Sequence, residues 1–314
     1  MAKRTIHQKM AQRAINGLTA FGTSKKDPDA EPDKIRSVAT ANQYEGIFKR
    51  FSEWRAEQGI KTKLSEATVP QAEKFLRDLK PVIMQKNLSN HRNALQMHLR
   101  NVRAESHAKN PINLHRHQST KGEPSTTPRA LNREQVKRII ATAPQLETKV
   151  AIALKYESGL RTHELITLAT FEERPVTYRS EKWHPERFSG GRENWHRYSV
   201  IGKGNLPREV RVSPETHKQL ETLRFGTPQP RTDRKIDYTQ RYDLTSGQNL
   251  SERFKELAIK ANGFNTGAHG LRHSFAQNRR VELMADGRTE KEADKILTQE
   301  VGHWSTSNLK YYLR

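Results

Sequence analysis

Tyr198-Ser199-Val200-Ile201, then Gly202-Lys203-Gly204-Asn205, then Glu209-Val210-Arg211-Val212 read as two alternating segments around a glycine-rich turn. Alternation on both sides of such a turn predicts a β-hairpin. On either side of it the apolar period changes to three and four residues, which is the period of helices. Downstream, helices are predicted over 250–261, 269–284 and 290–299, the last opened by the capping box Thr289-Glu290-Lys291-Glu292. Upstream, the apolar run 150–158 reads as a buried helix stopped by Gly159. Another helix opens at Asn132, with Val136, Ile139 and Ile140 on one face. The predicted fold class is therefore mainly α with a small antiparallel β-sheet.

Between these elements lies a stretch without a period. Residues 171–197 hold Trp183, Trp195, Gly190-Gly191 and many charges, and read as a long loop or an insertion. Residues 117–128 are polar, with one glycine and two prolines, and read as a linker. The linker sets a domain boundary between residues 37–116 and 129–314. In the first of these domains Thr40-Ala41-Asn42-Gln43 has capping-box spacing. Tyr44, Ile47, Phe48, Phe51 and Trp54 follow on one helix face, and Gly59 ends that helix. A second helix after Pro70 turns Phe75, Leu76 and Leu79 inward and ends at Pro81. A third carries Leu88, Leu95, Leu99 and Val102. Its other face holds His91, Arg92, His98, Arg100 and Arg103, with the arginines as candidate DNA contacts. Residues 1–36 read as a flexible basic arm in which 6–18 could form a short helix, because Pro28 and Pro32 oppose helix in the stretch after it.

The chain has 314 residues, with 56 Lys and Arg against 35 Asp and Glu, a formal charge of +21. Such an excess points to a polyanionic partner, with nucleic acid ahead of an anionic membrane surface. The longest apolar stretches fall well short of the ~20 residues of a spanning helix. The first residues lack the apolar centre of a secretory signal. There is no cysteine, which removes disulfides, thiolate nucleophiles and Cys-type zinc sites. A cytoplasmic, nucleoid-associated protein is expected.

Arg161, Lys203, His269, Arg272, His303 and Tyr312 follow one another through the second half of the chain. A phosphodiester attacked by an oxygen passes through a pentacoordinate state with extra charge on its non-bridging oxygens. Guanidiniums suit that charge because they stay protonated and present forked donors. Arg161 and Arg272 are the candidates, with His303 as a third donor. A phenol needs a base before it can attack, and His269 is the candidate for that proton. The departing oxygen needs a proton, which Lys203 at the hairpin tip could supply. His269 and His273, four residues apart, have the spacing of zinc ligands, but no carboxylate or third histidine matches them. No metal and no cofactor is expected.

The local sequences around these residues resemble the boxes of the tyrosine recombinases, or phage-type integrases. Glu157-Ser158-Gly159-Leu160-Arg161-Thr162-His163-Glu164-Leu165 resembles their first arginine box, and Val200-Ile201-Gly202-Lys203-Gly204-Asn205 their β-hairpin lysine segment. His269-Gly270-Leu271-Arg272-His273 resembles the His-x-x-Arg box. Val301-Gly302-His303 resembles the following Gly-His, and Tyr312 stands nine residues later, where the nucleophile is usually found. Tyr311 is the alternative nucleophile. The resemblance covers about 130–314 by motif and 37–116 by pattern alone. It implies a helical core-binding domain joined to an α+β catalytic domain. It further implies site-specific recombination of double-stranded DNA through a 3′-phosphotyrosine, by a homotetramer on two DNA sites, with accessory DNA-bending proteins as possible partners. A mobile genetic element is the expected setting. A type IB topoisomerase and a non-catalytic DNA-binding regulator are the competing readings. Three departures stand out: the stretch between Arg272 and His303 is long, the loop at 171–197 is long, and the sequence ends at Arg314, where the family usually continues into a segment that docks on a neighbouring subunit.

Overall fold

A computed structural model describes residues 4–21, 31, 34–102, 119–120, 127–176, 182–202, 205–233 and 236–313. The chain divides into two compact units, one of Met1–Ser125 and the other of Thr126–Asp233 with Asp237–Arg314. Most of the 117–128 linker lies outside the described residues.

The first unit is helical: α1 Ile6–Asn16, α2 Val38–Glu57, α3 Val69–Leu79 and α4 Gln85–Val102. Reciprocal boxes, Thr5 with Gln8 and Thr68 with Gln71, satisfy the first free N–H groups of α1 and α3. Phe48, Phe51, Phe75, Leu76, Leu88, Leu95 and Leu99 close on one another as the core. Three expectations need correction here. Residues 1–36 are not simply an arm, since Ala11, Ile15, Leu18 and Ile35 are buried in this core. The α2 helix starts at Val38 after Ser37, so Thr40 lies inside it. His91 and His98 do not share the charged face of α4. His98 is 2% exposed, bonds to the Leu64 carbonyl at 3.0 Å and packs at a tilt against Phe48, while His91 packs near Phe75. Their spacing from Leu88 and Leu95, three residues in each case, puts them on the leucine face.

The second unit is built on α5 Arg133–Thr142, α6 Leu146–Ser158, a three-stranded antiparallel sheet, α7 Pro214–Thr222, α8 Gly247–Asn262, α9 Gly270–Ala285 and α10 Glu290–Glu300. The sheet has the order β1-β2-β3, with β1 Ala169–Thr170, β2 His196–Gly202 and β3 Leu206–Val212. The hairpin register pairs Val200 with Arg208 and Tyr198 with Val210. Tyr198, Val200, Val210 and Val212 thereby enter a core with Val150, Leu154, Leu165, Phe254 and Leu271. A smaller core joins α9 to α10 through Phe275, Leu283, Ile296, Leu297, Leu309 and Tyr312. A mainly helical fold with small antiparallel sheets is what is found. The strands β4 Arg224–Asp233 and β5 Ile236–Tyr242 form a separate two-stranded ribbon that the apolar pattern does not signal, because β4 faces solvent along most of its length.

Among its described residues the stretch 171–197 has no long element of its own before β2, yet it is anchored. Arg192 pairs with Glu282 at 2.9 Å and the Phe188 N–H donates to Glu300 at 2.9 Å. Trp183 packs on Trp304 with ring centroids 4.5 Å apart. Among the described residues no helix is long and apolar enough to cross a membrane.

Burial of α1 has a measurable consequence. Ile15→Ala should destabilise the protein by about 2–4 kcal/mol, read as a lower urea midpoint; an unchanged midpoint would mean that α1 is only loosely attached.

Candidate active site

The site begins where α6 ends. Gly159 takes a left-handed conformation, φ 62°, and the ring of Phe275 on α9 occupies the space that a side chain there would need. The turn that follows is held by its carbonyls. Lys155, fully buried, donates to the Leu160 carbonyl at 2.5 Å, and Arg272 donates Nη1 to the Gly159 carbonyl. Arg161 is thereby projected beside Glu164, which accepts its backbone N–H at 2.8 Å and its Nη1 at 2.7 Å. The other Glu164 oxygen also takes Nη2 of Arg208, from β3, at 2.8 Å. A single carboxylate with no exposed surface therefore joins the Arg161 turn to the hairpin.

The opposite wall comes from α9 and the turn after α10. His269 precedes the first residue of α9, and Arg272 lies in its first turn, fully buried. Arg272 donates Nη2 to the Val301 carbonyl and Nε to the Tyr312 hydroxyl at 3.3 Å. Gly302, φ 74°, turns the chain so that His303 faces inward; a Cβ on Gly302 would stand 2.8 Å from Cδ of Arg208. His303 Nε2 lies 3.3 Å from Nη2 of Arg161 and 3.4 Å from the Tyr312 hydroxyl. A guanidinium can only donate, so this nitrogen carries a lone pair rather than a proton. Tyr312 then accepts from Arg272 and donates to His303. The third donor expected at His303 is, at this nitrogen, an acceptor.

The structure thus brings Arg161, His269, Arg272, His303 and Tyr312 together. His269 and His273 lie against the Tyr312 ring at centroid distances of 5.8 and 5.2 Å. Tyr312 is 8% exposed and Tyr311, the alternative, is 50% exposed. Lys203 lies outside the described residues. The strand that leads to it ends at Gly202, where an added Cβ would stand 3.2 Å from Glu164 and 3.9 Å from Arg161. Of the candidate DNA contacts, Arg92 is half-buried and donates to Asn93 at 2.7 Å, Arg100 is half-buried, and Arg103 lies outside the described residues. Among the described residues no three His, Asp or Glu side chains stand close enough together to hold a metal ion.

Burial first, and crowded positive charge second, set the protonation states. Burial, with Arg272 next in weight, pushes His269 down to about 3 and His303 down to about 4. Burial and Arg161 lower Arg272 to about 10, and burial and Arg272 lower Lys155 to about 7. Burial alone would raise the Glu164 carboxyl, but Arg208, Arg272 and Arg161 together hold it well below the usual carboxylate range.

No family model matches the chain. Among curated proteins, the tyrosine recombinase XerA of Pyrococcus horikoshii is 26% identical over 199 residues, which are 61% of this chain and 58% of that protein. The chain is thus similar to a tyrosine recombinase. The match spans less than two thirds of the curated relative's length. Solved structures show the same fold at low identity. The XerH site-specific recombinase bound to palindromic difH substrate has a TM-score of 0.55 and 15% identity, covering 98% of this chain and 90% of that one. A lambda integrase dimer bound to a COC′ core site gives 0.53 and 14%, covering 99% and 77%. The Tn1549 transposon integrase with a circular intermediate DNA gives 0.52 and 14%, covering 99% and 96%.

Two side chains of the site escape the family boxes as the sequence presents them. Lys155 sits at the polar end of an apolar helix, where a lysine ordinarily faces solvent. Arg208 lies beyond the hairpin turn in an alternating strand, where nothing local separates a buried arginine from an exposed one.

Because His269 and His303 are neutral in the folded chain, they oppose folding at pH values where an unfolded imidazole holds a proton. The stability at stake is fully present above about pH 6.5 and is lost as pH falls toward about 4 for His303 and about 3 for His269. The melting temperature of the free protein should therefore drop between pH 6.5 and 4, and His269→Gln with His303→Gln should flatten that drop. An equal drop in the double variant would mean that neither imidazole is depressed.

Proposed function

We propose that this protein is a site-specific DNA recombinase that cleaves and rejoins strands through a 3′-phosphotyrosine on Tyr312. The observation that carries the reading is the Tyr312 hydroxyl held between Arg272 Nε and His303 Nε2, with Arg161 Nη2 against that same histidine nitrogen. A nucleophile aimed into a cluster of fixed cations is what attack on a backbone phosphate requires. Arg161 and Arg272 take the non-bridging oxygens, and their charge does the work without a metal. Both imidazoles are neutral and able to accept the phenol proton. His303 stands at the hydroxyl and His269 against the ring, so the free-state geometry favours His303 for the step expected of His269. Lys203 is the proposed donor to the departing 5′ oxygen. The phosphotyrosine keeps the bond energy, so resealing takes no ATP.

The charge of +21 supports duplex DNA as the partner, and the fold relatives caught on DNA support the same partner. Family kinship supports a homotetramer on two specific recombination sites, assisted by DNA-bending proteins, in the cytoplasmic nucleoid. A transposon integrase stands among the fold relatives, which favours a mobile genetic element as the setting. Arg92, Arg100 and Arg103 are proposed to contact DNA.

The test uses a pool of end-labelled duplexes nicked beside a randomised core, so that the freed piece diffuses away and traps the adduct. The native protein and Tyr311→Phe should form a covalent band, and Tyr312→Phe should lose it by more than about a thousandfold. Loss only in Tyr311→Phe would reassign the nucleophile, and no band from the native protein would leave a non-catalytic DNA binder. Two captured sites joined on one substrate should then give exchanged products; resealing of the same strand alone would make it a topoisomerase. Non-covalent affinity of Tyr312→Phe should fall with salt, each neutralised phosphate adding about 0.9 to the log–log slope; a flat response would exclude phosphate-dominated binding.

A further inference from the structure

Three separate elements converge on Glu300, the last residue of α10. Arg279 of α9 grips its carboxylate with both arms, Nε to Oε2 at 2.9 Å and Nη2 to Oε1 at 3.0 Å. The Phe188 N–H, from the stretch ahead of β2, donates to Oε1 at 2.9 Å. Arg208 of β3 donates Nη1 to the Glu300 carbonyl at 2.7 Å. Glu300 and Arg279 are both buried, at 2% and 0% exposure. Immediately beyond Glu300 come the Val301 carbonyl that accepts from Arg272, the Gly302 turn against Arg208, and His303. The same stretch that supplies Phe188 reinforces the arrangement. Its Ser189 carbonyl accepts from Arg279 at 2.6 Å, and its His184 N–H donates to Gln299 at 2.5 Å.

We propose that Glu300 is a positioning residue of the recombinase site: clamped by Arg279 and the Phe188 N–H, it fixes the Val301–His303 turn and so sets where Arg272 and His303 meet the phosphate and Tyr312. The hydrogen bonds of the Glu300 carboxylate go to Arg279 and the Phe188 N–H, so its effect on the reacting groups runs through the turn. The 182–195 stretch, which looks like an excursion in the sequence, acts as an outer brace on that turn. The inference rests on the recombinase reading for its catalytic consequence, while its geometric half stands without DNA.

Two arms test it on the full-length protein. The first follows the His303 ring resonances through a pH titration without DNA, in the native protein and in Glu300→Asp, which keeps the charge and withdraws it by one methylene. His303 is depressed by burial and by Arg272, Arg161 and Arg208. A turn released from its clamp should move it off those cations, and its titration should rise by about one pH unit. The second arm measures adduct formation by both proteins on a duplex taken from the randomised pool. At saturating DNA the rate should fall about 10- to 100-fold, with DNA affinity within about twofold of native. Glu300→Gln should behave likewise with a larger effect; because it leaves Arg279 buried without its partner, failure of that variant to fold leaves the test with Glu300→Asp. An unchanged His303 titration in Glu300→Asp would overturn the proposal. So would an unchanged cleavage rate, or a rate loss matched by an equal loss of affinity. A shifted titration with no adduct from the native protein would uphold the positioning and sink the recombinase reading instead.

Discussion

A cluster of guanidiniums cannot assemble in a protein interior without a countercharge, and here Glu164 supplies it. Its two oxygens hold Arg161 and Arg208 at 2.7 and 2.8 Å. Removing one partner from a buried pair leaves an uncompensated charge and costs about 3–5 kcal/mol. Glu164 is therefore as much a condition of the fold as of the site. It opens a short 3-10 turn directly after the α6 cap, and it reaches the sheet through Arg208. The positive charge that would drive these elements apart instead draws them onto one carboxylate.

The remaining cations are quieted by other means. Arg272 lies among backbone carbonyls, Lys155 gives its ammonium to one, and both histidines have given up their protons. Helix ends do the aiming. Arg161 follows the left-handed cap of α6, Arg272 sits in the first turn of α9, and His303 follows the glycine turn after α10. Each of these three thus lies at or near the end of a rigid element, where backbone groups remain unpaired and can be answered by side chains.

What could be read in advance follows from how local each signal is. The hairpin, the caps at Asn132 and Thr289 and the stop at Gly159 depend on neighbours within four residues, and the structure has them. Arg161, His269, Arg272, His303 and Tyr312, far apart along the chain, stand together in space, while Lys203 lies outside the described residues. Lys155, Arg208 and Glu300 were not legible, since a charged residue becomes structural only through partners far away: Glu300 answers Phe188 and Arg279. His91 and His98 are polar by chemistry, yet their register with Leu88 and Leu95 points them inward. The exposed ribbon β4–β5 lacks the apolar alternation that marks a half-buried strand.

Arg272 invites a simple count. A guanidinium has five N–H bonds, and three are engaged: one to the Gly159 carbonyl, one to the Val301 carbonyl and one to the Tyr312 hydroxyl. One hydrogen remains on each terminal nitrogen. Whatever anion enters must be met by that remaining pair, in a plane already held by the Gly159 and Val301 carbonyls. An ammonium in its place, with three hydrogens and no plane, would run out of donors before the guest arrived.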